Sequence, residues 1–171
     1  MTTELDKTKS LNYCLVEQRR LYDNILTTIE GLRTKALALL AGEIALVTFL
    51  FDSDFKNFFT QDTPVYGFVF FGIGLCLLIV AAAFFLMVIS SISFSHPPTS
   101  DDIKYLEKRY YKDSDSFLEK MVENYDSCII SIIKIANSRA KKFMYGVYCF
   151  SGGIAITILI KYLSTLIDLG G

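Results

Sequence analysis

VYGFVFFGIGLCLLIVAAAFFLMVISSISF, residues 65–94, is a run of thirty residues without a charged side chain. A hydrocarbon core about 30 Å thick is crossed by about 20 helical residues that rise about 1.5 Å each. As one helix the run would be about 45 Å long, so it tilts or leaves its Ser90–Ser95 end outside the lipid. The run predicts a membrane-spanning helix.

Two further segments are apolar enough to cross a bilayer. Residues 36–51 form a short run that contains Glu43, and residues 143–160 form a run without charge. The whole chain is 52% hydrophobic with a mean hydropathy of +0.40, which is high for a soluble domain. No stretch alternates as a β-strand does. The sequence predicts an all-α integral membrane protein with three transmembrane helices and long cytoplasmic helical extensions that form a stalk or bundle.

Lysine and arginine are unevenly distributed among the segments that flank these runs. Residues 1–35 contain six, residues 52–64 one and residues 95–142 nine, while the C-terminal tail has none beyond Lys161. Basic flanks stay on the cytoplasmic side, and no signal peptide follows Met1. The predicted regions are therefore a cytoplasmic helix over 1–35 continuous with the first span, a transmembrane hairpin over 36–94 (spans 36–51 and 65–94, external loop 52–64), a cytoplasmic helical segment over 95–142, and a third span with an external tail over 143–171.

An apolar stripe with alternating spacings of four and three predicts one uninterrupted helix from the cytoplasm into the first span. Such a stripe is a packing seam for another helix, either in the same chain or in a second copy. Its cytoplasmic members are Leu11, Leu15, Gln18, Tyr22, Ile25, Ile29 and Leu32, and it continues through Ala36, Leu39, Glu43, Leu46 and Leu50.

A second stripe leads into the third span. Ser116 and Glu119 have the spacing of a capping box, which predicts that a helix begins there. The stripe that follows consists of Phe117, Met121, Tyr125 (or Asn124), Cys128, Ile132 and Ile135. We expect this helix and the N-terminal helix to pack together as the stalk.

Glu43 is the most distinctive single residue of the sequence, because it is an acidic side chain on the seam about eight residues into the first predicted span. A carboxyl group inside a membrane is costly and faces a bundle interior, a cavity or a partner. It could form a pore ring or gate in an oligomer. Alternatively, it only fixes the register of the helices, or reaches the interface.

Two other groups of residues are candidates for membrane contacts. Arg139, Lys141 and Lys142 form a basic collar before the third span, which suits anionic lipid headgroups, with a specific ligand or phosphate site as the alternative. Gly72 and Gly153 lie in predicted spans and favour close helix packing, within one chain or between chains.

The sequence contains little that could carry catalysis. It has one histidine, His96, and its four cysteines have neither CxxC nor metal-ligand spacing. The net charge is −1, so no basic field points to nucleic acid. We therefore expect a non-enzymatic protein without a metal or cofactor, with the lipid bilayer as its partner and no nucleic acid.

Two sequence stretches resemble small membrane effectors of prokaryotic anti-phage systems. These are Leu32-Arg33-Thr34-Lys35-Ala36-Leu37-Ala38-Leu39-Leu40, which enters the first span, and Asn137-Ser138-Arg139-Ala140-Lys141-Lys142, which precedes the third. They are similar to segments of SLATT domains and of the transmembrane effectors of Pycsar and CBASS operons. The resemblance implies a homo-oligomer in the bacterial inner membrane that permeabilises or depolarises it on a cue from a cytoplasmic partner protein or a nucleotide signal.

Three functions are compatible with these features. The first is a pore-forming effector in antiviral defence, triggered through its cytoplasmic helices. The second is a scaffold or accessory subunit that recruits a cytoplasmic partner through the same stripes. The third is a small ion channel or transporter in which Glu43 carries an ion or proton. Depolarisation on expression separates an effector from a scaffold, and Glu43→Gln tests transport.

Overall fold

A computed structural model of the chain describes residues 2–53, 65–90, 103–104, 108 and 114–170. Within these residues it contains three long α-helices and no strand: α1 (Thr2–Ser53), α2 (Val65–Ile89) and α3 (Ser114–Gly170). The predicted all-helical class is confirmed. Most of the predicted loop 52–64, and the first part of the predicted segment 95–142 with His96, lie outside the described residues.

The two long helices extend as far as their sequence stripes predict or further. α1 is unbroken over 52 residues, in a stretch without proline. α3 begins at Ser114, two residues before the start predicted from Ser116, and it continues to Gly170. The predicted external tail is therefore helical through that residue.

The chain divides into two compact units. Unit 1 consists of Met1–Gly31 and Ser91–Ser138, and unit 2 consists of Leu32–Ser90 and Arg139–Gly171. The three divisions fall at 31, 90 and 138, each four residues before the membrane boundaries expected at 35, 94 and 142. α1 and α3 each contribute a segment to both units.

In unit 1, α1 and α3 pack side by side in the same direction. Thr8 donates a 2.6 Å hydrogen bond to Asp115, 107 positions later, and Tyr22 lies near Cys128, 106 positions later. These nearly equal offsets define a parallel pair of helices. Its core consists of Tyr22, Ile29, Cys128, Ile129 and Ile132, with Ile25, Leu26, Ile135 and Ala136 packed against it.

Two nearby isoleucines of α3 allow a matched test of this pairing. Ile132 is fully buried, whereas Ile130 is 63% exposed. Ile132→Val should lower the free energy of unfolding by about 1 kcal/mol, because it removes one buried methyl group. Ile130→Val should change it by less than about 0.5 kcal/mol. Denaturant titration of the purified protein measures both, and equal losses would contradict the pairing.

In unit 2, α2 and α3 run in opposite directions at close range. A Cβ at Gly146 would lie 2.7 Å from Cε1 of Phe85, and a Cβ at Gly153 would lie 2.9 Å from Cγ of Leu78. Seven residues forward on α3 thus correspond to seven residues backward on α2. The contacts continue to Gly74, where a Cβ would lie 3.2 Å from the Thr157 hydroxyl oxygen.

The segment of α1 in unit 2 completes the core of that unit. The buried residues are Ala36 from α1 and Ala81, Phe85 and Val88 from α2. The half-buried side chains packed against them are Leu32, Leu39, Leu40, Ile89, Phe143, Val147, Cys149 and Phe150. Phe85 also lies between two rings of α3, 6.1 Å from that of Phe143 and 6.3 Å from that of Phe150, measured between centroids.

Two helices of the described residues are long and apolar enough to span a membrane, and they lie within Gly67–Ile89 and Asp115–Ile160. A core helix of a soluble protein could match them in length and composition, but it would be mostly buried. Here only 28% and 17% of the apolar windows are buried. The predicted first span, 36–51, is not among the candidates, and the side chains of its residues 49–51 lie outside the described ones.

Candidate functional site

The stripe predicted on α1 faces the interior of its own chain. Every seventh residue from Tyr22 is buried, namely Tyr22, Ile29, Ala36 and Glu43. The other seam residues whose burial the structure describes are half-buried: Leu11, Leu15, Gln18, Ile25, Leu32, Leu39 and Leu46. In unit 1 the partner is α3 of the same chain. Of the two possibilities left open by the sequence, the described contacts show packing within the chain.

α3 carries a matching repeat that continues beyond the stripe seen in the sequence. Six residues at intervals of seven are all buried: Tyr125, Ile132, Arg139, Gly146, Gly153 and Ile160. The predicted stripe ended at Ile135, because an arginine and two glycines do not register as apolar. Tyr125 and Ile132 are seven residues apart, and repeating this interval along α3 would have identified the arginine and the two glycines.

Two polar atoms of the α1 seam in unit 1 are buried without a hydrogen-bond partner among the described residues. They are Oε1 of Gln18 and the hydroxyl of Tyr22, one helical turn apart. Burial, with a smaller contribution from nearby Cys128, raises the pKa of the Tyr22 phenol. The phenol therefore stays neutral, and this layer adds polarity without charge to the α1–α3 pair. We expect such a neutral polar layer to favour one register of the pair.

Glu43 is the deepest acidic side chain of the described part of unit 2. It is 3% exposed, and its Oε2 is buried without a hydrogen-bond partner among the described residues. It follows Leu39 and Leu40 by one turn, and both of those pack on the apolar core. The carboxyl group therefore lies inside the unit, not toward its exposed apolar surface. It is a group that can hold a proton or a cation where water is scarce.

The three members of the predicted basic collar are placed differently. Lys141 is exposed and Lys142 is half-buried. Arg139 is only 5% exposed, and its Nη2 donates a 2.6 Å hydrogen bond to the carbonyl oxygen of Ser90 at the end of α2. The prediction of one basic collar did not distinguish Arg139 from the two lysines, although Arg139 falls on the buried seven-residue repeat of α3.

The two predicted close-packing glycines also differ. Gly153 lies against α2, where an added Cβ would meet Leu78 and, at 3.1 Å, the carbonyl oxygen of Gly74. Among the described residues, no atom outside its own turn of helix lies within 4 Å of a Cβ added at Gly72, so this side of Gly72 faces open space. The glycine of α2 that makes the contact is Gly74, two residues further on.

Groups with metal-binding or redox chemistry are not assembled in the described part of the chain. No three histidine, cysteine, aspartate or glutamate side chains come together there to hold a metal ion. The four cysteines are free thiols. The chemistry that the described residues offer is thus that of a buried carboxyl group in unit 2 and of basic side chains at one end of that unit.

No protein family model, no curated protein and no solved structure matches this chain. The functional argument therefore depends on its own residues.

Proposed function

We propose that this chain is a non-enzymatic, homo-oligomeric membrane effector that lets ions cross the bilayer when a signal reaches its cytoplasmic helices. Unit 2 is the membrane part with three spans, and unit 1 is the cytoplasmic stalk. The N-terminus is cytoplasmic and the C-terminus external. The setting is the bacterial inner membrane, and the role is depolarisation in anti-phage defence.

The apolar exterior of unit 2 supports the membrane placement. Large apolar side chains are exposed on all three of its helices, among them Ile44 at 61%, Ile79 at 62% and Ile158 at 63%. A soluble protein rarely leaves such a surface in water. The agreement between the unit divisions and the basic flanks adds to this argument, because the two are independent.

The observation that carries the conducting role is the buried carboxyl group of Glu43. An acidic side chain without a partner destabilises a membrane bundle, so it is retained for a function. α2 and α3 are in close contact at Gly146, Gly153 and Gly74, which leaves no space for a path at these positions. A path therefore opens only where α1 separates from this pair, or between copies. Glu43 is on α1 and faces the interior of the unit, so separation of α1 from this pair exposes it.

A signal can reach Glu43 along α1 itself. The helix is continuous from unit 1 to Glu43, and its cytoplasmic seam contains the polar layer of Gln18 and Tyr22. Polar seam positions lower the stability of a helix pair and favour one register. A partner protein or nucleotide that alters the packing of α1 on α3 in unit 1 would thereby shift the same helix around Glu43.

Membrane potential in cells that express the protein, reported by a voltage-sensitive dye, tests the proposal. Wild type should depolarise the cells, and Glu43→Gln should reduce depolarisation at least about tenfold, because it removes the charge and keeps the shape. Glu30→Gln is the matched control on an exposed position of the same helix, and it should behave as wild type. Depolarisation by both Glu43→Gln and wild type would keep the pore and remove Glu43 from it.

The second candidate is a scaffold that recruits a cytoplasmic partner. Exposed apolar residues of unit 1 favour it, chiefly Tyr13 at 73%, Val16 at 64% and Ile130 at 63%. A scaffold would leave the membrane potential unchanged at every expression level. If the membrane potential stays unchanged also when the genes beside this one in its genome are co-expressed, the effector is rejected.

A further inference from the structure

Three helices of unit 2 bring basic and carbonyl groups to one end of that unit. Arg33 is on α1 just before the predicted first span, Ser90 is at the end of α2, and Arg139 is on α3 just before the predicted third span. The apolar core of unit 2 includes the residues just before Arg33 and Ser90, which are Leu32 and Ile89. It also includes Phe143, one helical turn after Arg139. In the proposed topology this end of unit 2 lies at the cytoplasmic surface of the membrane.

Arg139 is a buried guanidinium group with part of its hydrogen-bonding capacity unused. Its Nη2 donates to the Ser90 carbonyl oxygen at 2.6 Å, whereas its Nε is buried without a partner among the described residues. The carbonyl end of a helix attracts a cation, which explains why the side chain is held there. The partial negative charge at the helix end does not neutralise the full positive charge of the Arg139 guanidinium group. A buried charge without a counterion is costly.

Arg33 increases this cost. It is 106 positions earlier in the chain, the offset that also relates Tyr22 to Cys128 within one cluster. Leu32 next to Arg33 and Phe143 one turn after Arg139 pack on the same core, so the two like charges lie on neighbouring helices at one end of unit 2. None of the described acidic side chains forms an ion pair with either arginine. Two guanidinium groups thus lie at one end of unit 2 with no ion pair among the described residues, an arrangement that an anion stabilises.

We infer that Arg33 and Arg139 form a binding site for a phosphate group, and specifically for that of an anionic phospholipid in the cytoplasmic leaflet. Arg33, which is exposed, contacts the phosphate first, and Arg139 is held in place behind it by Ser90. Guanidinium groups match the geometry of phosphate oxygens with paired N–H donors. The inference rests on the membrane placement in the proposed function, but not on ion conduction.

The surroundings of the two arginines favour a lipid over a free phosphate. Lys141 is exposed two residues after Arg139, and basic side chains at the cytoplasmic face attract anionic lipids. The apolar exterior of unit 2 begins within a few residues, at Leu37 on α1 and Met144 on α3, both nearly half exposed. A phospholipid can contact the arginines with its phosphate and this apolar exterior with its acyl chains. A free phosphate would contact only the arginines.

Native mass spectrometry of the full chain, purified from membranes in mild detergent, tests the site. Wild type should retain anionic phospholipid such as phosphatidylglycerol, and Arg33→Gln should lower its affinity about tenfold, which corresponds to one lost charge-assisted hydrogen bond of about 1.4 kcal/mol. Lys35→Gln is the matched control, two residues away, with the same loss of charge and the same exposure class. Because Arg33 is exposed, its replacement should leave the fold intact, which thermal melting verifies.

The possible outcomes distinguish a lipid phosphate from a free phosphate. They also distinguish failure of the lipid site from failure of the proposed effector function. Equal lipid loss in Arg33→Gln and Lys35→Gln would overturn the site and leave only general surface attraction. Retention of inorganic phosphate or a nucleotide in place of lipid, lost in Arg33→Gln, would overturn the lipid assignment. Lipid retention by a chain that never depolarises cells would support the site and reject the effector. Absence of the chain from membranes would reject both.

Discussion

Gly153→Leu is expected to destabilise unit 2 by at least about 3 kcal/mol and to separate α2 from α3. A Cβ at this position would already lie 2.9 Å from both Cγ and Cδ2 of Leu78 and 3.1 Å from the carbonyl oxygen of Gly74. Leu78 could adjust its side chain, but the Gly74 oxygen belongs to the backbone and moves only with its helix. Three further carbon atoms have no space, because Leu78 is itself 2% exposed. Loss of folded protein in detergent, measured by thermal unfolding, checks the result.

Gly152→Leu is the matched control for this prediction. An added Cβ there would have Leu77 Cδ1 as its nearest neighbour, at an ordinary 3.6 Å. Both variants place the same side chain in the same helix, one residue apart, so helix propensity cancels between them. If the two melted at the same temperature, the close α2–α3 contact would not exist in the folded protein.

The helical architecture could be predicted from the sequence because it depends on local periodicity. The spacing of four and three from Leu11 to Leu50 predicted a single helix, and α1 is continuous from Thr2 to Ser53. The buried face of that helix was also predictable, since Tyr22, Ile29 and Ala36 recur every seven residues. Both properties follow from the helix geometry of a single segment.

The partners of each face could not be predicted, because periodicity does not show what lies opposite. The choice between Gly72 and Gly74 depends on the rotation of α2 against α3, which no feature of α2 alone reveals. Arg139 was grouped with Lys141 and Lys142 by proximity and charge. It nevertheless belongs to the buried seven-residue repeat of α3, one turn before Phe143. The same limit left the choice between a partner in the chain and a second copy open for the seam.

Glu43→Leu is expected to make the protein more stable and to abolish depolarisation. The Glu43 carboxyl group is 3% exposed and its Oε2 has no partner among the described residues, so it costs about 1–3 kcal/mol in the folded state. Leucine has a similar volume and suits the neighbouring Leu39 and Leu40, so the midpoint of thermal unfolding should rise by several degrees. Gain of stability together with loss of activity is the signature of a residue retained for function.

Leu46→Ala, on the same seam, provides the opposite control. Leu46 is half-buried three residues after Glu43, and its truncation should lower stability without removing the carboxyl group. Thermal unfolding and dye-reported depolarisation, measured on the same set of variants, then separate packing from conduction. A fall in the unfolding midpoint of Glu43→Leu would mean that the carboxyl group is hydrogen-bonded in the assembled protein. Glu43 would then serve helix register, and the conducting role proposed for its carboxyl group would be rejected.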